Sequence, residues 1–200
     1  MTKTRKIVLR TALIAVPVVT ALSVYSLGLA TDLKPRWTGD YLEVAAPQLH
    51  FLTGQQLERL RNGATVPFDF QLTLSGAQGA APLYRALERF VVSYDLWEER
   101  FSVVRLRSGH RSAPHLTATA AETWCLENIG IPANLVPADK TLWLKLEIRS
   151  AESKQMAAIP DEGGISLTTL VEIFSRPTRN PQDHWVRESA PFRLSDLRRQ

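Results

Sequence analysis

Residues 66–74 read Val66-Pro67-Phe68-Asp69-Phe70-Gln71-Leu72-Thr73-Leu74, with an apolar residue at every second position from Val66 and Asp69, Gln71 and Thr73 between them. Successive side chains of a strand leave on opposite faces, so this period of two predicts a half-buried β-strand. Pro67 brings no N–H to a ladder and belongs at a strand start or an edge. Just upstream, TGQQLERLRNG (53–63) predicts a short helix: Thr53 caps it, Gln56 is the capping-box partner, Leu57 and Leu60 share a face, and Gly63 stops it. Further upstream, residues 41–52 alternate loosely as a strand broken or edged by Pro47.

Downstream, Phe90, Val92, Tyr94 and Leu96 keep one alternation, and Phe101, Val103 and Val104 follow the polar Trp97-Glu98-Glu99-Arg100. The pattern predicts two strands joined by a tight turn, with no Asn-Gly or Asp-Gly to fix the register. A second helix is expected over TATAAETWCLENIG (117–130), with Thr119 and Glu122 at capping spacing and Ala121, Trp124, Cys125 and Ile129 on one face. Leu142, Leu144, Leu146 and Ile148 mark another strand, and Ser166 opens SLTTLVEIF, helical in spacing although rich enough in Thr, Val and Ile to be a strand. Strands with one apolar face each must be covered. The fold class implied is mainly β: a sandwich-like antiparallel domain with two or three short helices, preceded by an N-terminal apolar helix.

The chain has 200 residues, 44% hydrophobic and 22% charged, enough apolar material for one packed domain. Its formal charge of +4 is unevenly spread. Lys3, Arg5, Lys6 and Arg10 are unopposed in the first ten residues, residues 31–175 carry an acidic excess, and the basic excess returns over 176–200. An acidic body has no general attraction for phosphate backbones, so nucleic acid is not an expected partner. The basic decapeptide precedes an uncharged run from Thr11 to Thr31. Its length suits a membrane span, and Gly28-Leu29-Ala30 suits signal cleavage; in either case the remainder of the chain is expected to be exported. The expected organisation is a signal peptide or membrane anchor at 1–30, a juxtamembrane spacer at 31–40, a β-rich domain at 41–175 and a tail rich in Pro and Arg at 176–200. The expected location is the inner membrane facing the periplasm, or the periplasm after cleavage near Ala30. The membrane would be engaged through residues 11–30.

Cys125 is the single cysteine, which excludes an intramolecular disulfide, and burial suits a lone thiol in an oxidising compartment. There is no Gly-rich phosphate loop, no Gly-x-Ser-x-Gly elbow and no His-Glu-x-x-His pair, so no catalytic, cofactor-binding or metal-ligating residue is assigned and no cofactor is expected. Asp95, Glu98 and Glu99 are read as a solvated turn rather than an acid–base pair. Arg105, Arg107, His110 and Arg111, with His115 close by, form the densest basic patch, either an anion or headgroup site or a charged loop. Trp185 and Phe192 lie in the tail, which either docks on a partner or lies across its own domain and shields a sheet edge. Trp37 is either an interfacial anchor or a linker residue.

The order of the leader, Leu57 and Leu60 before Gly63, VPFDFQLTL, FVVSYDLWEERFSVVRL, a helix and TLWLKLEIR resembles a family of small exported bacterial proteins, a domain of unknown function of the 4390-like group. The likeness covers about residues 41–150 and implies export and a β-rich fold, with no activity to carry over. Export without a catalytic constellation points to a non-enzymatic extracytoplasmic interaction module with an envelope protein as partner. The alternatives are an enzyme with an unfamiliar site in the acidic or His-containing loops, or a carrier of a small apolar ligand.

Overall fold

The structure, a computed structural model, describes residues 33–150 and 184–198. The apolar segment at 11–30 and the helix expected after Ser166 lie outside the described residues. Within them the protein is mainly β, with two antiparallel sheets and a few short helices. The larger sheet is built from β3 (Val66–Ser75), β4 (Pro82–Asp95), β5 (Arg100–Arg105), β6 (Arg111–Leu116), β8 (Trp143–Ser150) and β9 (His184–Glu188), in the order β6-β5-β4-β3-β8-β9. The smaller joins β1 (Lys34–Trp37), β2 (Tyr41–Ala45) and β7 (Gly130–Pro132) in the order β1-β2-β7. The helices are α1 (Gly54–Arg61), α2 (Ala118–Glu127) and the single turn α3 (Leu194–Leu197).

The strand at 66–74 is central rather than at an edge. It pairs with β4 along its length and with β8 from Phe68 onward, so Pro67 sits at the strand start, ahead of the Phe68–Ser150 pair. Phe68, Phe70, Leu72 and Leu74 share the core face with Phe90, Val92, Leu144, Leu146 and Ile148. Phe51 packs edge-on to Phe68 at 4.9 Å and to Phe70 at 5.4 Å, a favoured aromatic arrangement. Leu42, Val44 and Ile131 of the smaller sheet enter the same cluster. Cys125 lies buried there, as expected; burial and then the nearby Glu122 charge push its thiol well above the ordinary range.

Three local expectations are revised. Asp69 and Gln71, on the face opposite Phe68 and Phe70, are buried rather than solvated. Asp69 is matched by an equally buried Arg89, whose Nε and Nη2 donate to its two carboxylate oxygens at 2.5 and 2.7 Å. The Thr53–Gln56 capping box does not form: Thr53 is the N-cap but its side chain makes no capping bond. Gln56 is buried, and its amide oxygen accepts from Arg59 Nη1 at 3.1 Å. In α2 the cap is Thr117, not Thr119, and its hydroxyl accepts from Ala120 N at 3.2 Å. Glu122 instead ties α2 to the segment ahead of α1. Its Oε1 accepts from Phe51 N and Leu52 N at 2.7 and 2.8 Å, and its Oε2 meets His50 Nδ1 at 2.8 Å. Thr117→Ala should lower the unfolding free energy by about 1 kcal/mol in chemical denaturation, whereas Thr119→Ala, on an exposed helical position, should leave it within about 0.5 kcal/mol.

Both ends of the described region fold back onto the domain. Residues 34–37, within the stretch expected as a spacer, form β1, and Leu33 bridges to Ser189. From the expected tail, β9 joins the larger sheet beside β8, Phe192 bridges to Leu142, and Leu194 of α3 is buried. The Arg198 guanidinium stacks over the Trp37 ring at 4.8 Å. The C-terminal segment therefore lies across its own domain, the arrangement that shields an edge of the sheet.

Candidate functional site

Strand length makes the site. β4 has 14 residues and β5 has 6, and the two pair only from Phe90–Arg105 to Asp95–Arg100. The last ladder bond on that side is Leu106 N to Arg89 O at 3.0 Å. Beyond it the chain turns away through Arg107-Ser108-Gly109, with Gly109 at φ +81°, a conformation glycine adopts without strain. Arg105 holds this turn: it donates to the carbonyls of Ser108, Gly109 and Asn128. Glu88, buried on the core face, accepts from Arg107 N at 2.9 Å, Ser108 N at 3.2 Å and Arg89 N at 3.2 Å. The Arg107 side chain reaches back to Leu87 O at 2.8 Å.

Divergence of the turn from β4 opens a cleft of about 700 Å³. Its walls are Tyr84 to Glu88 of β4, Arg105 and Arg107, Arg111 of β6, the end of α2 from Glu127 to Ile129, and Tyr41, Glu43, Gly130 and Pro132 of the smaller sheet. Gly130 keeps the wall close: a Cβ there would come within 3.3 Å of Tyr41 Cβ and 3.4 Å of Glu43 Cγ, tight enough that these side chains would have to give way by a few tenths of an ångström. Five consecutive residues of β4 line the cleft although alternate side chains leave on opposite faces, so the cleft meets the strand edge-on. Among the described residues, no bond engages the backbone of Arg85 on that side, and Leu87 O is occupied by Arg107 alone.

The electrostatics are lopsided. Glu43 and Glu127 share Arg36 at 3.3 and 3.4 Å, and Glu88 is saturated by backbone N–H groups. Arg105 and Arg107 donate to carbonyls, which satisfy their hydrogens without cancelling their charge. Arg85 and Arg111 are exposed, and among the described residues neither has an ion-pair or hydrogen-bond partner. Glu88 keeps its charge in the same way, so the cleft presents an excess of guanidinium over carboxylate charge next to a strand edge.

Of the residues singled out by sequence, Arg105, Arg107 and Arg111 come together here, while His110 is exposed on the adjoining turn outside the lining. Trp185 and Phe192 are elsewhere: Trp185 packs on Phe51 and Phe68 with ring centroids 6.3 and 6.2 Å away, and Phe192 packs against the core beside Leu142. Tyr41, Tyr84, Arg85 and Gly130 were not anticipated; the one signal in the sequence was the alternation running longer before the 96–99 turn than after it. The acidic turn stands apart at the other end of β4, about 23 Å along the strand from Glu88. Asp95 Oδ1 accepts from Trp97 N and Glu98 N at 2.8 and 3.1 Å, which holds its carboxyl below the ordinary range, and Glu98 pairs with His115 at 2.5 Å. The acidic residues and the basic cleft do not converge. Among the described residues no group of three or more His, Cys, Asp or Glu is placed to hold a metal ion, and no helix is long and apolar enough to cross a membrane. Comparison of the chain with protein-family models, curated proteins and solved structures finds no match in any of the three.

Proposed function

We propose that the protein is exported and held at the inner membrane by residues 11–30, or released into the periplasm by cleavage near Ala30, and that it is a non-enzymatic interaction module for an envelope protein. Its two sheets, sharing one core, are read as a sandwich-like unit whose working surface is the β4 cleft. Export is supported by the basic decapeptide and the uncharged run that follows it. Interaction is supported by one observation above the others: a strand edge formed by consecutive residues 84–88 opens onto a cleft where, among the described residues, Arg85 and Arg111 have no side-chain partner. Within the tail, residues 184–188 are taken up by the protein's own sheet, which favours the cleft over the tail as the surface for a partner.

The test is site-directed photocrosslinking in intact cells that express the full chain. A photoreactive phenylalanine at exposed Ser108, whose hydrogen bonds to Glu88 and Arg105 are made by backbone atoms, should give a discrete adduct with an envelope protein. The same group at Trp97, 97% exposed on the far turn, should give none. The Ser108 adduct should fall at least fivefold in the Arg85→Glu, Arg111→Glu variant. Equal adducts from both positions, or an adduct indifferent to that variant, would reject the cleft as the working surface. A C-terminal reporter active only outside the cytoplasm should light up; a dark reporter beside a bright cytosolic one would reject export.

A further inference from the structure

We infer that the cleft takes an extended acidic segment of a protein, which adds as a strand to β4 at Arg85 and Leu87; this rests on reading the cleft as the interaction surface. Backbone direction carries the first step. The N–H and C=O of a strand residue point to the same side, and this side alternates along the strand. Arg89 O faces the β5 side, since it accepts from Leu106 N. Leu87 and Arg85 therefore face that side too, past the end of β5; with Leu87 O held by Arg107, the Leu87 N–H and both backbone groups of Arg85 remain for an added strand. A segment of about three residues, about 10 Å long, would span these positions.

The other edge of this region is built to refuse such an addition. β6 carries Pro114, left-handed His115 at φ +59° and a register shift opposite Phe101–Val103, all of which interrupt regular pairing. The β4 overhang from Tyr84 to Leu87 has no proline and no positive φ and pairs in regular register with β3; the register shift opposite Leu74–Ser75 falls at Leu83, ahead of it. Charge carries the second step. Among the described residues Arg85 and Arg111 flank the overhang without carboxylate partners, and Arg105 and Arg107 add charge that carbonyls do not neutralise. A lysine-rich segment would be repelled here, while glutamates on one alternation of an added strand could meet Arg105 and Arg111, which share the face of Phe90, or on the other alternation Arg85, which is on the face of Asp69. Half-exposed Leu83 and Tyr41 and part-buried Tyr84 offer apolar contact to the residues between.

The probes are four: a nine-residue peptide alternating Val and Glu, its Val and Lys counterpart, the Glu peptide with N-methyl groups on alternate backbone nitrogens, and inorganic phosphate. Each is titrated into the full chain in detergent micelles, following backbone amide resonances. The Glu peptide should saturate and shift the amides of residues 84–87. The Lys peptide should bind at least tenfold more weakly. One of the two N-methylated registers should lose binding, because it removes the ladder donors. Arg85→Glu with Arg111→Glu should invert the preference toward the Lys peptide. Equal binding of Glu and Lys peptides, no loss on either N-methylation, or displacement of the peptide by phosphate at equal concentration would overturn the inference. A cell adduct at Ser108 alongside a Glu peptide that does not bind would remove the acidic strand and leave the interaction surface standing. Loss of the adduct with peptide binding intact would do the reverse.

Discussion

Arg89→Ala should lower the unfolding free energy by about 3 to 5 kcal/mol, because it leaves the Asp69 carboxylate buried in the middle of the sheet without its partner. The pair as a whole is worth much less. Two ions removed from water lose much of what they gain from each other, so the apolar replacement Asp69→Leu with Arg89→Met should fall within about 2 kcal/mol of wild type, on either side. Denaturant melts of the two single variants and the double form a cycle, and near-additive losses would show that the pair is not coupled. The pH dependence follows from the direction of the carboxyl shift. Burial pushes Asp69 above its ordinary value, outweighing the opposing pull of Arg89 and Arg149. The folded chain then binds this proton at a higher pH than the unfolded chain, so between the two values acidification favours the fold through this group. The stability advantage of wild type over Asp69→Asn should widen as pH falls through the raised value and level off below the ordinary Asp range. A margin that narrows over that window would reverse the sign.

Glu122→Ala is the second large effect, at about 3 kcal/mol. The carboxylate accepts two buried backbone N–H groups, from Phe51 and Leu52, and meets His50, so removing it leaves two donors without water or partner. Those donors anchor the segment that places Phe51 against Phe68, Phe70 and Trp185, so the loss spreads into the aromatic core. Glu122→Gln keeps an accepting oxygen without the charge and should cost about half as much. Thermal denaturation of both variants checks this; equal losses would mean that charge, not hydrogen bonding, dominates. Hydrogen exchange at the Phe51 and Leu52 amides should accelerate in Glu122→Ala before global unfolding does.

How far the sequence carried the fold depends on how local each signal was. The period of two in 66–74 and 142–148 named the core face of both strands correctly, because alternation is written into adjacent residues. The same period misjudged Asp69 and Gln71, since nothing near Asp69 reveals an arginine twenty positions away in its cross-strand register. Capping was similarly ambiguous: Thr117 and Thr119 both precede the α2 pattern, and Glu122 looked like a capping partner until a tertiary contact claimed it. β1 and β7, at 4 and 3 residues, are too short for any periodicity. The basic half of the cleft was visible as a cluster of Arg105, Arg107 and Arg111, whereas Tyr41, Tyr84 and Arg85 required pairing between segments far apart in the chain. Their assembly depends on where β5 stops, and a stop set by the Arg105 and Glu88 networks leaves no local mark.

The closure at residue 33 has a mechanical side. A pull applied to the chain ahead of residue 33 would reach the described globule at Leu33, whose side chain is buried and whose backbone bridges to Ser189; Ser189 in turn exchanges bonds with Leu144. The load would therefore pass at once into β8 of the large sheet, and stacking of Arg198 on Trp37 adds a second fastening beside it. Tension along the polypeptide would be borne by this clasp before it reached β4.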